Sequence, residues 1–232
     1  MIKAVIFDIG QTLIEYDKPL NWSKLTRPAF EYIADTYGYH LTEQQYQHAC
    51  NVLTKYNTRV YPREFEVSST QIFTEILDGI DVPSADLEQV KSCFYSYFRK
   101  DAHPYSDAEH TLKILSQKGI LLGTLSDVAY GMDNTYALED IASLIKYIDY
   151  PITSNDVGYR KPSTKGLSLL SEKMNIALCE MAFVGDEEKD MICAIQAGVY
   201  SVLINRDNTI KNFGQDMEIH ALSELPHILH LV

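Results

Sequence analysis

The chain has 232 residues, of which 46% are hydrophobic and 22% are charged, as is typical of a globular protein with a sizeable core. Its 32 aspartates and glutamates outnumber 20 lysines and arginines, which gives a net charge of −12. Such an acidic chain lacks the clustered cations that bind nucleic acids or anionic membranes, so neither partner is expected. The sequence also shows no run of ~18 apolar residues that would span a bilayer, and no signal-peptide pattern at its N-terminus.

The four cysteines are scattered along the chain and form no CxxC pair. They are Cys50, Cys93, Cys179 and Cys193. We therefore expect reduced thiols rather than disulfides or a metal site, which is the usual state of cysteine in the cytoplasm. The protein is accordingly predicted to be cytoplasmic.

The first predicted element is a short apolar run at residues 2–7 (IKAVIF), which ends at Asp8 and is typical of a buried parallel strand. From residue 14 to about 103 the pattern changes to amphipathic helices, with hardly a strand among them. This segment is rich in aromatic side chains, among them Trp22 and the cluster Phe94, Tyr95, Tyr97 and Phe98. We expect them to pack a core within the helical segment.

Beyond Pro104, apolar runs alternate with helical patterns. The predicted strands are 120–126, 147–154, 181–185 and 200–204, and the predicted helices are 106–118, 130–145, 163–175 and 187–197. This alternation predicts an α/β fold, a doubly wound parallel sheet with helices on both faces. The predicted division is a core of residues 1–13 and 104–232 with a helical domain, residues 14–103, inserted after the first strand.

Polar side chains follow the ends of the predicted strands. They are Asp8, Ser126, Lys161, Asp186 and Asp190. Because the carboxyl ends of parallel strands converge on one crevice, we expect these side chains to meet there. Three carboxylates would repel one another unless a cation or a lysine offsets them, and Mg²⁺ suits such oxygen ligands. A serine hydroxyl and a lysine are suited to hold a phosphoryl group.

The motifs around these residues, in chain order, are FDIGQTL, TLSD, GYRKP and GDEEKD. Together they resemble the four motifs of the haloacid dehalogenase superfamily, whose members are mostly Mg²⁺-dependent phosphohydrolases. The helical segment resembles the C1-type cap that such enzymes carry between the first motif and the second strand. The resemblance extends over essentially the whole chain.

The resemblance implies a role for each matching residue. Asp8 would be the nucleophile that forms an aspartyl-phosphate, which water then hydrolyses. The metal ligands would be Asp8, the backbone carbonyl of Gly10, and Asp186, with Asp190 as a further ligand or as the residue that orients a bound water. The substrate-binding residues would be Thr12, Ser126, Asp127 and Lys161. Two of them would also be catalytic: Ser126 would hydrogen-bond the transferring group, and Lys161 would balance the charge on the nucleophile and the phosphate. Asp127 also suits a helix N-cap, the commoner role for such a residue.

The first motif departs from the family pattern DxDGT, because Gly10 replaces the second aspartate. In the family this aspartate protonates the leaving group and then activates water, and glycine can do neither. Loss of general acid–base catalysis typically costs ~10² to 10⁴ in rate. The metal site keeps its ligand, since position 10 contributes a backbone carbonyl.

The glycine at position 10 leaves three hypotheses. In the first, the chain hydrolyses a phosphate with a good leaving group, or takes its acid from the cap or from a water held by Gln11. Alternatively it cleaves carbon–halogen or carbon–phosphorus bonds, the latter with a Schiff-base lysine for which Lys24 and Lys55 are the candidates. In the third reading it binds ligands with little turnover.

Retention of the acidic pair in GDEEKD favours phosphate chemistry over metal-free dehalogenation. Glu15 and Asp17 are weak candidates for a substitute acid. Arg59 and Arg63 are expected to be solvated charges on the surface of the cap, the alternative being that they contact a substrate anion. The sequence thus predicts a Mg²⁺-dependent phosphohydrolase that acts on a small phosphorylated metabolite. It carries no signal for the oligomeric state.

Overall fold

The computed structural model describes residues 1–17, 22–99, 102–207 and 209–230. Its strands are β1 (Ala4–Phe7), β2 (Ile14–Tyr16), β3 (Ala102–Pro104), β4 (Leu121–Ser126), β5 (Tyr150–Thr153), β6 (Met181–Gly185), β7 (Tyr200–Ile204) and β8 (Met217–Ile219). Its helices are α1 (Trp22–Tyr37), α2 (Glu43–Tyr56), α3 (Ser69–Leu77), α4 (Leu87–Arg99), α5 (Ala108–Gln117), α6 (Asn134–Ala137), α7 (Ser154–Val157), α8 (Lys165–Met174), α9 (Glu188–Ala197) and α10 (Leu225–Ile228).

Six strands form one parallel sheet in the order β5-β4-β1-β6-β7-β8. The side chains of β1 alternate between its two faces, as the period of a strand requires. Val5 and Phe7 pack on the side of α5, whereas Ala4 and Ile6 pack on the side of α8 and α9. All four are fully buried. The predicted doubly wound α/β fold is confirmed, and β1 lies at its centre with the end of the strand pointing to the crevice.

The helices α1 to α4 lie between β1 and β4 in the chain and bury a core of their own. Phe94, Tyr95 and Phe98 are at most 2% exposed, so the predicted packing role of these aromatic side chains is confirmed. Trp22 stacks on Phe98 with ring centroids 4.0 Å apart. Tyr130 joins this cluster from the segment after β4, which ties the helical segment to the α/β core. We call residues 22–99 the helical insert.

The structure differs from the sequence prediction at both ends of the insert. The sequence predicts hardly a strand between residue 14 and about 103, but β2 and β3 pair antiparallel as a two-stranded ribbon. Strands of three residues are too short to show a repeating pattern. The proposed domain limits at residues 13/14 and 103/104 fall within or beside this ribbon and stay a prediction.

The predicted helix at 130–145 is wrong. The segment forms only short pieces, namely 3₁₀ turns at 129–131, 139–141 and 145–147 and the single turn α6. Tyr130 and Gly131 both adopt positive φ angles, 51° and 64°, which a helix does not tolerate. This kink turns Val128, Tyr130 and Met132 toward the core of the insert, and their burial there compensates for the broken helix.

Two further expectations can be compared with the structure. All four cysteines are free thiols, as predicted. Within the described residues, no helix combines the length and the apolar character that crossing a membrane requires.

Candidate active site

Asp8 is the first residue after β1, at the carboxyl edge of the sheet. Its Oδ1 lies 2.6 Å from Nζ of Lys161, whose side chain is 1% exposed. The same ammonium lies 2.7 Å from Oδ1 of Asp190. Burial alone would lower the pKa of Lys161, but Asp190 and Asp8 hold it above its usual value. Lys161 is therefore a charged, buried cation shared by two carboxylates.

Asp186 and Asp190 lie after β6 and in the first turn of α9. Oδ2 of Asp190 accepts a hydrogen bond from the backbone N–H of Glu187 at 3.0 Å, which helps to cap α9. The absence of a side chain at Gly185 makes room for this, since a Cβ there would lie 2.5 Å from Oδ2 of Asp190. One oxygen each from Asp8, Asp186 and Asp190 lie within 4.8 Å of one another.

These three carboxylates form an unusual electrostatic environment. Burial, with Asp8 and Asp190 next in effect, raises the pKa of Asp186 to about 8. Burial also raises the pKa of Asp190, against the opposing effect of Lys161. Two of the three carboxyl groups thus resist ionisation beside a single lysine, and a bound cation would favour the ionised form of all three. Hard oxygen donors that can all reach one ion suit Mg²⁺, so the donor set fits the cation predicted from the sequence.

Ser126 and Gly10 flank this cluster. Ser126 is the last residue of β4, and both residues line the cavity above the carboxylates. A Cβ built on Gly10 meets no atom within 4 Å, and its φ lies outside the left-handed region. The place of the family's second aspartate is therefore open space rather than a position filled by another side chain.

The neighbouring residues of the first motif have separate environments. Gln11 has a φ of 55° and lines the cavity, and its Oε1 accepts a hydrogen bond from the Tyr105 hydroxyl at 3.1 Å. Thr12, by contrast, is fully buried, and its hydroxyl has no hydrogen-bond partner among the described residues. Thr12 does not line the cavity, and its role in substrate binding stays a prediction.

Asp127 does not cap a helix, because the next helical turn is preceded by Val128. Its Oδ1 instead accepts the backbone N–H of Lys161 at 3.0 Å, and its Oδ2 lies 3.3 Å from Nζ of Lys189. Burial alone would raise the pKa of Asp127, but Lys161, Arg160 and Lys189 hold it below its usual value. Asp127 thus binds groups of the protein itself, and a direct contact with substrate stays a prediction.

A cavity of about 1240 Å³ lies between the carboxyl edge of the sheet and the helical insert. Arg59 of the insert reaches across it, with Nη2 2.7 Å from Oε1 of Glu187. Burial would raise the pKa of Glu187, but Lys189 and Arg59 lower it to about 2. Arg63 also lines the cavity, but its side chain is only 18% exposed and donates to the carbonyl of Tyr56 at 2.6 Å. The expectation of a solvated side chain is wrong for Arg63.

The candidate Schiff-base lysines lie elsewhere. Lys55 forms an exposed ion pair with Glu75 at 2.7 Å, and neither Lys55 nor Lys24 lines the cavity. Within the described part of the chain, the lysines that line it are Lys161 and Lys189, both from the α/β core. This arrangement disfavours a phosphonate-cleaving reaction that needs a lysine from the insert.

The candidate substitute acids are also displaced from the cavity. Glu15 and Asp17 contact His103, at 3.3 and 3.6 Å, and neither lines the cavity. Tyr16 does line the cavity, and no motif in the sequence points to this position. Burial, with smaller contributions from nearby carboxylates, raises the pKa of Tyr16 above its usual value, so its hydroxyl keeps its proton and can donate a hydrogen bond.

Comparison with known proteins places this site in a family. The model that describes haloacid dehalogenase-like hydrolases matches residues 5–204, from β1 to the end of β7. The chain belongs to this haloacid dehalogenase-like hydrolase family. The match contains all four motifs, and it confirms the resemblance on which the site was predicted.

Curated relatives of this hydrolase include the phosphoglycolate phosphatases of Escherichia coli (strain K12) and Shigella boydii serotype 4 (strain Sb227). Each is 29% identical over 127 residues, 53% of this chain. That match spans only half of each relative's length, 50%. The relatives therefore support the family, while their substrate is not carried over by similarity alone.

Solved structures resemble the hydrolase along its whole length. A 2-haloacid dehalogenase from Pseudomonas syringae pv. Tomato DC3000 superposes with a TM-score of 0.73 at 20% identity, covering 100% of this chain and 99% of the other. A phosphatase of the same superfamily from Thermococcus onnurineus gives a TM-score of 0.66 at 22% identity, covering 98% of both chains. At this identity the likeness shows the fold, which both reaction types share.

Proposed function

We propose that this hydrolase is a cytoplasmic, Mg²⁺-dependent phosphohydrolase that acts on a small phosphorylated metabolite through an aspartyl-phosphate on Asp8. The observation that carries the proposal is the buried group of Asp8, Lys161 and two further carboxylates at one edge of the sheet. The phosphoglycolate phosphatases among its relatives point to the same substrate class.

In this proposal Asp8, Asp186, Asp190 and the carbonyl of Gly10 hold the Mg²⁺ ion. When bound, the ion neutralises negative charge on the carboxylates and on the phosphoryl oxygens. Metal-free dehalogenation gives no reason to bury three carboxylates side by side, so the cluster supports phosphate chemistry over that alternative.

In the first step, a carboxylate oxygen of Asp8 attacks phosphorus, and the bond from phosphorus to the leaving-group oxygen breaks. Lys161 and the Ser126 hydroxyl stabilise the charge on the transferring group, and Lys161 is already held in place by Asp8 and Asp190 before the reaction begins. In the second step, water attacks phosphorus, which releases phosphate and restores the carboxylate of Asp8. Because Gly10 offers no proton, the leaving group departs as an anion or takes its proton from water.

The helical insert is proposed to act as a C1-type cap, with limits near residues 14 and 103. Its side chains form one wall of the cavity, so the reaction would be shielded from bulk water. The insert would also set the substrate, since Trp22, Tyr56, Arg59 and Arg63 face the cavity opposite the carboxylates.

The proposal is tested by phosphate release from a panel of phosphorylated metabolites, with Mg²⁺ and with a chelator. We expect turnover that requires Mg²⁺. Halide release from a 2-haloacid in the presence of the chelator would instead establish the dehalogenase alternative. Substrate binding without turnover under any of these conditions would establish a binding protein.

A further inference from the structure

A short segment of the helical insert pairs with the segment that carries Lys161. Phe65 and Tyr159 form an antiparallel bridge, and their rings lie 5.0 Å apart. The backbone N–H of Glu66 donates to the carbonyl of Gly158 at 3.0 Å, and the N–H of Arg160 donates to the carbonyl of Glu64 at 2.8 Å. The insert is thus joined to the core one residue before the lysine.

Glu66 places a buried carboxylate at the centre of this junction. Its side chain is 3% exposed and forms an ion pair with Nη1 of Arg160, whose side chain is 7% exposed. It also accepts hydrogen bonds from the Ser154 hydroxyl at 2.5 Å and from the backbone N–H of Val67 at 3.0 Å. A buried carboxylate that accepts this many hydrogen bonds is held firmly in one position.

Arg160 connects Glu66 to the residue that holds Lys161. Its Nη1 also donates to the carbonyl of Val128 at 2.8 Å, and its Nη2 lies 3.8 Å from Oδ2 of Asp127. The other oxygen of Asp127 accepts the backbone N–H of Lys161 at 3.0 Å. Without Glu66, the buried guanidinium would have Asp127 as its remaining carboxylate contact, and an unpaired buried charge is strongly unfavourable.

We propose that Glu66 of the helical insert is a positioning residue for Lys161. By pairing with Arg160 it prevents the guanidinium from drawing Asp127 away from the Lys161 backbone, and so keeps the ammonium between Asp8 and Asp190. Because Glu66 belongs to the helical insert and Lys161 to the α/β core, packing of the insert on the core is coupled to the position of the lysine. The inference rests on the proposed phosphohydrolase function for its kinetic consequence.

The kinetic test compares Glu66→Gln with the wild type on an aryl phosphate. The variant keeps the size of the side chain and removes the charge. We expect kcat to fall by about 10- to 100-fold, the cost of a reactive group displaced by about 1 Å, while KM and the inhibition constant of inorganic phosphate change little. Glu31→Gln removes a carboxylate that pairs with Arg27 on the exposed surface of the insert, and it should keep the wild-type kcat.

A double-mutant cycle separates this role from general stabilisation. In Glu66→Gln/Arg160→Met both charges of this ion pair are gone, so no guanidinium at position 160 competes for Asp127, while Arg63, 3.4 Å from Oε1 of Glu66, keeps its bond to the carbonyl of Tyr56. We expect the double variant to lose less activity than the two single losses combined, because the two residues share the ion pair on which the proposed effect depends. Additive losses, or a loss of kcat in Glu66→Gln that follows a lower melting temperature, would overturn the proposal. If Glu66→Gln does not fold, Ser154→Ala should lower kcat by a smaller factor, and an unchanged kcat would overturn it.

Hydrogen exchange gives a readout that does not depend on catalysis. In Glu66→Gln the backbone amides of residues 158–161 and 163 should exchange faster than in the wild type, while those of β1 and β6 exchange at the same rate. Unchanged exchange at these five amides would overturn the positioning role. A wild-type chain that releases no phosphate would refute the proposed function. Hydrogen exchange would still test whether Glu66 positions the segment that carries Lys161.

Discussion

Replacing Gly10 by aspartate should restore the acid that the first motif lacks. The substitution Gly10→Asp is compatible with the fold, because a Cβ at this position meets no atom within 4 Å and the backbone φ is not left-handed. The carbonyl proposed as a metal ligand is unchanged. The new carboxyl group would face the cavity beside Asp8, whose negative charge would raise its pKa and so increase the fraction that carries the proton to be donated.

The size of the effect depends on the leaving group. A positioned general acid contributes about 10²- to 10⁴-fold when the leaving oxygen is basic, as in an alkyl phosphate. An aryl phosphate has a leaving group that is stable as an anion, so its gain should be less than about tenfold. The ratio of the two gains measures how much of the barrier in the wild type comes from the missing proton.

The assay is kcat/KM for one alkyl and one aryl phosphate, in the wild type, Gly10→Asp and Gly10→Asn. The asparagine variant matches the aspartate in size but cannot transfer a proton, so it should show neither gain. Equal gains for both substrates, no gain in Gly10→Asp, or a gain in Gly10→Asn would refute the account of an acid-deficient phosphohydrolase.

Two further predictions concern the carboxylate cluster. Because the pKa of Asp186 is about 8 in the folded chain and 3.8 in its unperturbed state, the metal-free protein should lose stability as pH rises from about 4 to about 8. At pH 8, metal-free Asp186→Asn should therefore melt at least ~2 °C above the wild type, the shift that a difference of about 1 kcal/mol in the free energy of unfolding produces in a chain of this size. At pH 4 the two proteins should melt at the same temperature. A variant that melts below the wild type at pH 8 would contradict this prediction. Gly185→Ala should displace Asp190 and reduce both phosphate release and Mg²⁺-dependent stabilisation, whereas Gly10→Ala, placed in open space, should leave Mg²⁺-dependent stabilisation unchanged. Equal Mg²⁺ responses in the two alanine variants would show that the close contact at Gly185 is unimportant.

The strands that form the middle of the sheet could be predicted from sequence because each is a mainly apolar run without a charged residue. β1, β4, β6 and β7 lie within two residues of their predicted limits, since burial on both faces excludes charged side chains. The strand β8 at the edge and the ribbon of β2 and β3 were missed, because three residues carry no periodicity. The helix predicted at 130–145 failed because Tyr130 and Gly131 follow the demands of packing against the insert rather than local propensity.

The candidate site was likewise predictable only in part. That Asp8, Lys161 and Asp190 lie together could be predicted from sequence, because the carboxyl ends of the strands in a parallel sheet converge. The pairs Glu66–Arg160 and Arg59–Glu187 could not be predicted, because their partners are 94 and 128 residues apart and form no spacing pattern. They depend on how the insert sits on the core, which the sequence does not encode in any local motif.

The proposed mechanism requires that a phosphoryl group is transferred from the substrate to Asp8 and then from Asp8 to water. The most direct measurement is rapid acid quench of a single turnover in Mg²⁺, followed by mass spectrometry of the peptide that contains residues 5–16. The account predicts a transient phosphoryl group on Asp8 in the wild type, and neither this adduct nor phosphate release in Asp8→Asn. Phosphate release with no adduct at Asp8, or near-normal turnover by Asp8→Asn, would contradict it.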